Sequence, residues 1–251
     1  MQLDFISLGQ ITKSEQFSLF SDDLKAAIKP KAHISYGKTE KFFSTLSSEE
    51  IKNYKNYWQS FAPNNDSERF QKWLFAILSV HSTYESNVRG YKALKDWTQW
   101  FNKWDALTQK LVDAKIGLHN NRTRYIKDFA LDYWSNPSNF QKAKNETWKE
   151  CRDRLVERIT GLGFAKVSFA FEMIAPLEVE LACIDTHIYQ AYGLDQTRNS
   201  SLGQDLETHW VQMSKLWNCP PAISRAIYWD RIQGEASSEY WMKAFCNQLG
   251  N

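Results

Sequence analysis

Residues 156–169, "VERITGLGFAKVSF", hold the feature from which the fold can be predicted. An amphipathic run comes first, a Gly-Leu-Gly turn follows, and a second apolar run begins at Phe164. Gly161 and Gly163 allow backbone conformations and close approaches that other residues resist. Leu162 is expected to point inward and fix the turn. The stretch therefore predicts two helices joined by a tight hairpin.

The rest of the chain shows the same helical spacing of apolar residues. The sequence "WKECRDRLVERI" places Trp148, Leu155 and Ile159 on one face of a helix. Further helices are expected near residues 14–28, 40–60, 66–81, 88–103, 124–133, 205–217, 221–232 and 236–248. The one strand candidate is "HISY" at residues 33–36. With only ten glycines and six prolines in 251 residues, the sequence predicts an all-α protein.

Composition and charge limit the class of protein. The chain is 43% hydrophobic and 24% charged, which is typical of a globular protein, and its net charge is +2. An anionic polymer would therefore bind through a local patch. The four cysteines lie far apart and form no CxxC pair, so neither a metal nor an iron–sulfur cofactor is indicated. Unpaired thiols, no signal-peptide pattern and no long apolar run predict a cytoplasmic protein without a membrane span.

Lys166 is expected in the first turn of the second hairpin helix, next to Phe164 and Val167. Cations are disfavoured near a helix N-terminus, and apolar surroundings disfavour the charged form of an amine. Both effects favour a neutral, nucleophilic amine. The alternative is a lysine that extends its ammonium to solvent along its apolar stem.

Asp185 lies in the run Ile184-Asp185-Thr186-His187 and precedes a predicted short helix, "THIYQAY". It is a good N-cap candidate, and capping alone would explain an aspartate at this position. A carboxylate held at a helix start is also well placed to face a substrate cation. In the same way, free N–H groups after the hairpin would suit a phosphate anion.

Together these features resemble the helix-hairpin-helix DNA glycosylase superfamily, which includes endonuclease III and the 8-oxoguanine glycosylases. Its pattern is a Gly-Val-Gly-type hairpin, a catalytic lysine in bifunctional members, and an aspartate in a Val-Asp-x-His context. The run "IGLHNNRTRYIKDFA" at 116–130 is similar to the family's Gly-Leu-Tyr-Asn-x-Lys-Ala loop and helix. The run "FAILSVHSTYESN" at 75–87 is similar to its first barrel helix. The resemblance covers roughly residues 65–195.

The resemblance implies an enzyme that flips a damaged or modified base out of double-stranded DNA and cleaves its N-glycosidic bond, either in DNA repair or in attack on foreign DNA. It assigns Leu118 as a wedge in the duplex and His81 as a filler of the gap left by the base. It assigns Asp185 to stabilise positive charge on the sugar. Contacts to the DNA backbone are implied for Gly161, Gly163, Ala165, His187, and a basic cluster of Arg122, Arg124 and Lys127. A solvated helix face is the alternative for the three basic residues.

The hairpin departs from the family pattern at one position. The family's lysine usually stands two positions after the second glycine, where this chain has Ala165, and Lys166 follows one later. With a one-residue shift, Lys166 would form a Schiff base and β-elimination would nick the strand. Its spacing to Asp185 resembles the 8-oxoguanine branch. Without the shift, water would be the nucleophile, and a non-catalytic DNA-binding protein is a further alternative.

The domain organisation that the resemblance implies is a two-subdomain helical bundle. A helical barrel would span residues 65–195, with the helix-hairpin-helix at about 146–176. Residues 1–64 would pack with the C-terminal helices in 196–251 as a second subdomain. We expect a monomer with no cofactor, and the sequence does not distinguish an oxidised, a mismatched or a hypermodified base as substrate.

Overall fold

The structure is a computed structural model that describes residues 34–234, and every regular element within that range is helical. The α-helices are α1 (Gly37–Ser44), α2 (Ser48–Ser60), α3 (Asp66–Leu78), α4 (Tyr84–Leu94), α5 (Trp104–Asp113), α6 (His119–Ser135), α7 (Trp148–Arg158), α8 (Phe164–Ile174), α9 (Thr186–Ala191), α10 (Gly203–Leu216) and α11 (Pro221–Ile232). Short 3₁₀ turns lie at Trp97–Gln99, Pro137–Phe140 and Ser200–Leu202. The predicted all-α class is confirmed.

Several predicted boundaries differ from the structure. The helix expected over 40–60 is two helices, α1 and α2, because Ser47 caps α2 by accepting a hydrogen bond from the Glu50 amide (3.1 Å). The helix expected over 88–103 ends at Leu94, whose carbonyl accepts a hydrogen bond from the buried Trp100 indole (2.9 Å). Helix α5 follows and was not predicted.

The expected strand at 33–36 is wrong in its described part. Residues 34–36 form no ladder; the Ser35 amide donates to the Tyr192 carbonyl (3.0 Å), and the Tyr36 carbonyl accepts from the Glu40 amide of α1 (2.9 Å). The helices expected near 14–28 and 236–248 lie outside the described residues.

Helix α3 is the central element of the fold. Phe70, Trp73, Leu74 and Phe75 are all fully buried, as expected of a helix whose second half, from Trp73 to Leu78, is apolar throughout. It packs against α4, α6 and α8. Phe70 stacks on Phe129 of α6, with ring centroids 5.4 Å apart. The helices that carry the predicted motifs are therefore held around one aromatic core.

The described N-terminal helices pack with the C-terminal helices. The Tyr54 hydroxyl of α2 donates to the Asp230 carboxylate of α11 (2.8 Å), and Arg231 pairs with Glu50 (2.6 Å). Within residues 34–234, no helix is long and apolar enough to cross a membrane. These contacts agree with the grouping expected for residues 1–64 and 196–251, and the division into subdomains stays a prediction.

Candidate functional site

The Gly-Leu-Gly turn joins α7 to α8. Gly161 has a φ of +89°, which favours glycine. A Cβ at this position would lie 2.6 Å from the Tyr125 ring of α6, so the packing also requires glycine. Leu162 is 3% exposed, as predicted for the residue that pins the turn. The hairpin thus packs against Tyr125 of α6 through Gly161.

Gly163 has a different environment from Gly161. It is the N-cap of α8 with a φ of −93°, and no side chain caps the helix. A Cβ at Gly163 would meet no described atom within 4 Å. Since the first amides of a helix lack intrahelical acceptors, the start of α8 presents N–H groups beside open space. This arrangement can hold an anion.

Lys166 lies in the first turn of α8, half-buried, and faces two cavities of about 410 and 820 Å³. Both cavities are also lined by Ser79, Ser82, Asp185 and Thr186. The Lys166 amine lies 5.6 Å from the centre of the Phe169 ring and forms no hydrogen bond or ion pair with residues 34–234. Ala165 lines only the larger cavity. The lysine therefore has the more central position of the two candidates.

Asp185 caps α9, as predicted. Its Oδ1 accepts hydrogen bonds from the amides of His187 (3.0 Å) and Ile188 (3.1 Å). Its Oδ2 lies 4.0 Å from the guanidinium of Arg225, and the side chain is 24% exposed. One oxygen thus forms the cap, the other is in a long ion pair with Arg225, and the residue lines both cavities. The capping and the chemical interpretations are compatible.

A buried ion pair lies directly behind Asp185. Glu172 pairs with Arg225 (Oε2 to Nε, 2.6 Å), and its other oxygen accepts a hydrogen bond from the Cys183 amide (2.7 Å). Burial raises the pKa of Glu172 to about 7, against the opposing effect of Arg225. The pair holds the backbone two residues before Asp185 and one edge of the smaller cavity.

A second buried pair holds the neighbouring amide. Glu207 accepts hydrogen bonds from Arg152 (2.5 Å) and from the Ala182 amide (3.1 Å). The Arg152 guanidinium also lies 3.9 Å from the centre of the Phe164 ring at the start of α8. Arg152 therefore connects the hairpin exit with the segment that leads to Asp185. Breaking a buried pair of this kind is strongly destabilising.

These two pairs were missed from the sequence. A signal existed in the isolated charges within apolar runs, Glu172 in "SFAFEMIA" and Arg225 in "AISRAIYW". A charged residue in a helix of this composition is almost never buried unless it is paired. Glu172 and Arg225, however, lie 53 positions apart in the chain, so no local sequence pattern could show that they pair.

Of the other predicted residues, His81 and His187 line the cavities, and Leu118 and Arg124 are exposed. Leu118 is 57% exposed with a φ of +57°, and His81 is exposed with a φ of +48°. His81 lines the larger cavity and His187 lines the smaller one. Arg124 is exposed, with its guanidinium 5.1 Å from the centre of the Tyr125 ring.

The prediction that Arg122 belongs to an exposed phosphate-binding cluster is wrong. Arg122 is only 5% exposed, and its guanidinium donates to the carbonyls of Gly117 (2.7 Å), Leu78 (2.7 Å) and Val80 (2.6 Å). The side chain is turned into the protein because the C-terminal end of α3 packs against its helix. Lys127 is half-buried, with its amine 5.5 Å from the centre of the Trp104 ring.

The helical core, the glycine hairpin, and a lysine and an aspartate on shared cavities define the class of protein, a helix-hairpin-helix DNA glycosylase. A family model described as 8-oxoguanine DNA glycosylase matches residues 47–201, more than half of the chain. The chain therefore belongs to the 8-oxoguanine DNA glycosylase family. No curated protein sequence is significantly similar to it.

Three solved structures have a similar fold. The 8-oxoguanine DNA glycosylase of Methanocaldococcus jannaschii is 17% identical with a TM-score of 0.59, over 90% of this chain and 99% of that one. The glycosylase/lyase of the same organism, in complex with a 15mer DNA containing 8-oxoguanine, is 19% identical with a TM-score of 0.61, over 80% and 98%. The Thermotoga maritima 8-oxoguanine DNA glycosylase is 13% identical with a TM-score of 0.57, over 88% and 99%.

Proposed function

We propose that this protein excises an oxidised purine, with 8-oxoguanine as the first candidate, from double-stranded DNA and then nicks the abasic strand. One observation carries the proposal: Lys166 and Asp185 line the same two cavities. The family and the names of the similar solved structures support 8-oxoguanine as the base. The glycosylase/lyase among them supports the nicking step.

The base must leave the stack before it can be cleaved, which costs a few kcal/mol. The cavity of about 410 Å³ falls within the volume range of small-ligand pockets and offers the aromatic rings of Phe169 and Trp229. Leu118 and His81 would occupy the space that the base leaves in the duplex. The exposure of both side chains supports these roles.

The chemistry would proceed at the sugar carbon C1′. As the bond to the base lengthens, the sugar gains positive charge, which the Asp185 carboxylate would stabilise. The Lys166 amine would attack C1′ through its nitrogen lone pair after losing a proton, and the base would leave with the electron pair of the broken bond. After the amine loses a proton and the sugar ring opens, an imine would link Lys166 to C1′. Loss of a proton from C2′ and of the 3′ phosphate would then nick the strand by β-elimination.

The start of α8 would hold the DNA backbone beside the lesion. The amides of Gly163 and Ala165 lie at an uncapped helix N-terminus with open space before it. Arg124 is exposed on α6 next to Tyr125, the residue on which the hairpin rests, so its charge would add to this anchor. His187 would contact the backbone from the α9 side.

Borohydride trapping on a duplex with an 8-oxoguanine·cytosine pair tests the proposal. We expect the parent protein to release the base and to form a trapped protein–DNA adduct. Lys166→Gln should lose both the adduct and the nick, whereas Lys149→Gln, at an exposed lysine paired with Asp153 on α7, should keep them. A clean abasic product without an adduct would instead favour water as nucleophile, with Ala165 in the catalytic position.

Asp185→Asn tests the electrostatic role separately. The amide keeps an oxygen for the α9 cap but loses the charge, so base release should fall by about 10²-fold or more. Binding to an abasic-site duplex and the unfolding midpoint should change little. Base release at the parental rate would contradict the mechanism, and loss of the fold would show that Asp185 is mainly a structural cap.

A further inference from the structure

Arg122 joins two segments that are distant in sequence. Its guanidinium donates to the Leu78 carbonyl (2.7 Å) and, at a longer distance, to that of Ile77 (3.5 Å). These carbonyls belong to the last turn of α3, where no residue within the helix donates to them; the Val80 amide, beyond the helix end, donates to the Ile77 carbonyl (3.4 Å). The positive charge is also favourable at a helix C-terminus. Arg122 thus completes the end of α3 from its position on α6.

Its two other bonds fall immediately before two exposed residues, Leu118 and His81, of which His81 lines the larger cavity. Nε donates to the carbonyl of Gly117, which precedes Leu118, and Nη2 donates to the carbonyl of Val80, which precedes His81. Leu118 and His81 both have positive φ, at +57° and +48°. Residues other than glycine rarely adopt this conformation, because the Cβ crowds the following carbonyl oxygen. Such strain persists only where surrounding contacts impose it.

We propose that Arg122 is a positioning residue that holds Leu118 and His81 as one preset unit, ready to enter the duplex. This rests on the proposed function, which assigns those two residues to the gap left by the flipped base. A guanidinium presents five N–H donors in a fixed planar fork, which is what four carbonyls in different directions require. Lysine, with a flexible point charge, cannot hold both segments at once. Arg122 therefore acts on opening of the base pair and not on bond cleavage.

The first test compares a paired with an unpaired lesion under single-turnover conditions. One duplex carries 8-oxoguanine opposite cytosine, and the other carries it opposite a tetrahydrofuran abasic analogue, where no pair has to be opened. Arg122→Lys should slow base release about tenfold on the paired duplex, the size expected from strain at one left-handed residue, and less than about threefold on the unpaired one. Equal losses on both duplexes would overturn the proposal.

Arg158→Lys is the matched control for replacing a guanidinium fork. Arg158, at the end of α7, binds the carboxylate of Asp132 on α6 through two nitrogens (2.7 and 2.6 Å). Arg158 lines neither cavity. It should release base from both duplexes at about the parental rate. A loss confined to the paired duplex in this control would show that the effect is not specific to Arg122, and would overturn the proposal.

A double-mutant cycle tests whether Arg122 acts through the two residues. In a Leu118→Ala, His81→Ala background, Arg122→Lys should add little to the slowing on the paired duplex, because its targets are gone. If it still added its full effect, Arg122 would act by another route. The cycle is read from the same single-turnover rates.

A measurement on the parent protein keeps the proposal testable if Arg122→Lys does not fold. The Nε–H resonance of Arg122 in ¹⁵N-labelled protein should exchange slowly with water and should keep its shift when an undamaged duplex binds. Fast exchange would show that the bond to the Gly117 carbonyl is not maintained, and a shift on DNA binding would identify a DNA contact; either result would overturn the proposal. This measurement does not depend on base release. It therefore distinguishes failure of the positioning role of Arg122 from failure of the proposed glycosylase function.

Discussion

Replacing Gly161 and Gly163 in turn by alanine separates what the hairpin needs for folding from what it needs for DNA. At Gly161, φ is +89° and an added Cβ would lie 2.6 Å from the Tyr125 ring. The left-handed conformation costs roughly 1–2 kcal/mol and the overpacking about 1–3 kcal/mol. Gly161→Ala should therefore lower stability by about 2–5 kcal/mol, or roughly 5–15 °C in Tm for a chain of this size.

Gly163→Ala should leave stability almost unchanged. The φ of −93° suits any residue, and the added Cβ would meet no described atom within 4 Å. The change in unfolding free energy should stay below about 1 kcal/mol, because a weaker N-cap is offset by a stiffer unfolded chain. If a phosphate approaches the amide here, the methyl group displaces it. Losing a hydrogen bond to a charged group, at about 1.5–3 kcal/mol, corresponds to roughly ten- to a hundredfold weaker binding.

Urea unfolding and fluorescence anisotropy on abasic-analogue duplexes measure the two effects. The weakening by Gly163→Ala should be the same for several flanking sequences, because backbone contacts carry no base information. Unchanged binding by Gly163→Ala would refute the anion site at the start of α8. Unchanged stability of Gly161→Ala would refute the packing argument at the Tyr125 ring.

Three further predictions concern the buried and paired carboxylates. Glu207→Leu should lower the free energy of unfolding by about 3–5 kcal/mol in urea titrations, because it removes the buried partner of Arg152 and leaves the partly exposed Asp153 (3.2 Å) as its paired carboxylate; a loss below about 1 kcal/mol would contradict the bracing role. Burial raises the pKa of Glu172 from 4.5 to about 7, so its stabilising effect is present below the unfolded value and is lost as the pH rises through about 7. Glu172→Gln should flatten that decline in unfolding titrations from about pH 5 to about pH 8, and an unchanged slope would count against it. Arg154 lowers the pKa of Glu146 to about 2, so this stabilisation is present above 4.5 and is lost as the pH falls through about 2. Glu146→Gln should therefore weaken the acid dependence of unfolding below about pH 4.5, and an unaltered acid profile would contradict the pairing.

The sequence by itself determined the features that depend on a few neighbouring residues. Helix α11 spans the predicted residues 221–232. Its start was readable in the sequence because proline suits the first turn of a helix. Asp185 caps α9, and Leu162 pins the hairpin, as their local contexts indicated. The all-α class followed from the repeated apolar spacing.

Only the tertiary structure decided which side chains face inward. Arg122 was expected on an exposed basic face, yet the last turn of α3, more than 40 positions away, supplies carbonyls that draw it into the interior. Gly161 and Gly163 look alike in sequence, and only the Tyr125 ring of α6 distinguishes them. The pairing of Arg152 with Glu207 joins residues 55 positions apart. Helical spacing and capping act over a few bonds and are written locally, whereas burial depends on which distant surfaces meet, and only the packed chain determines that.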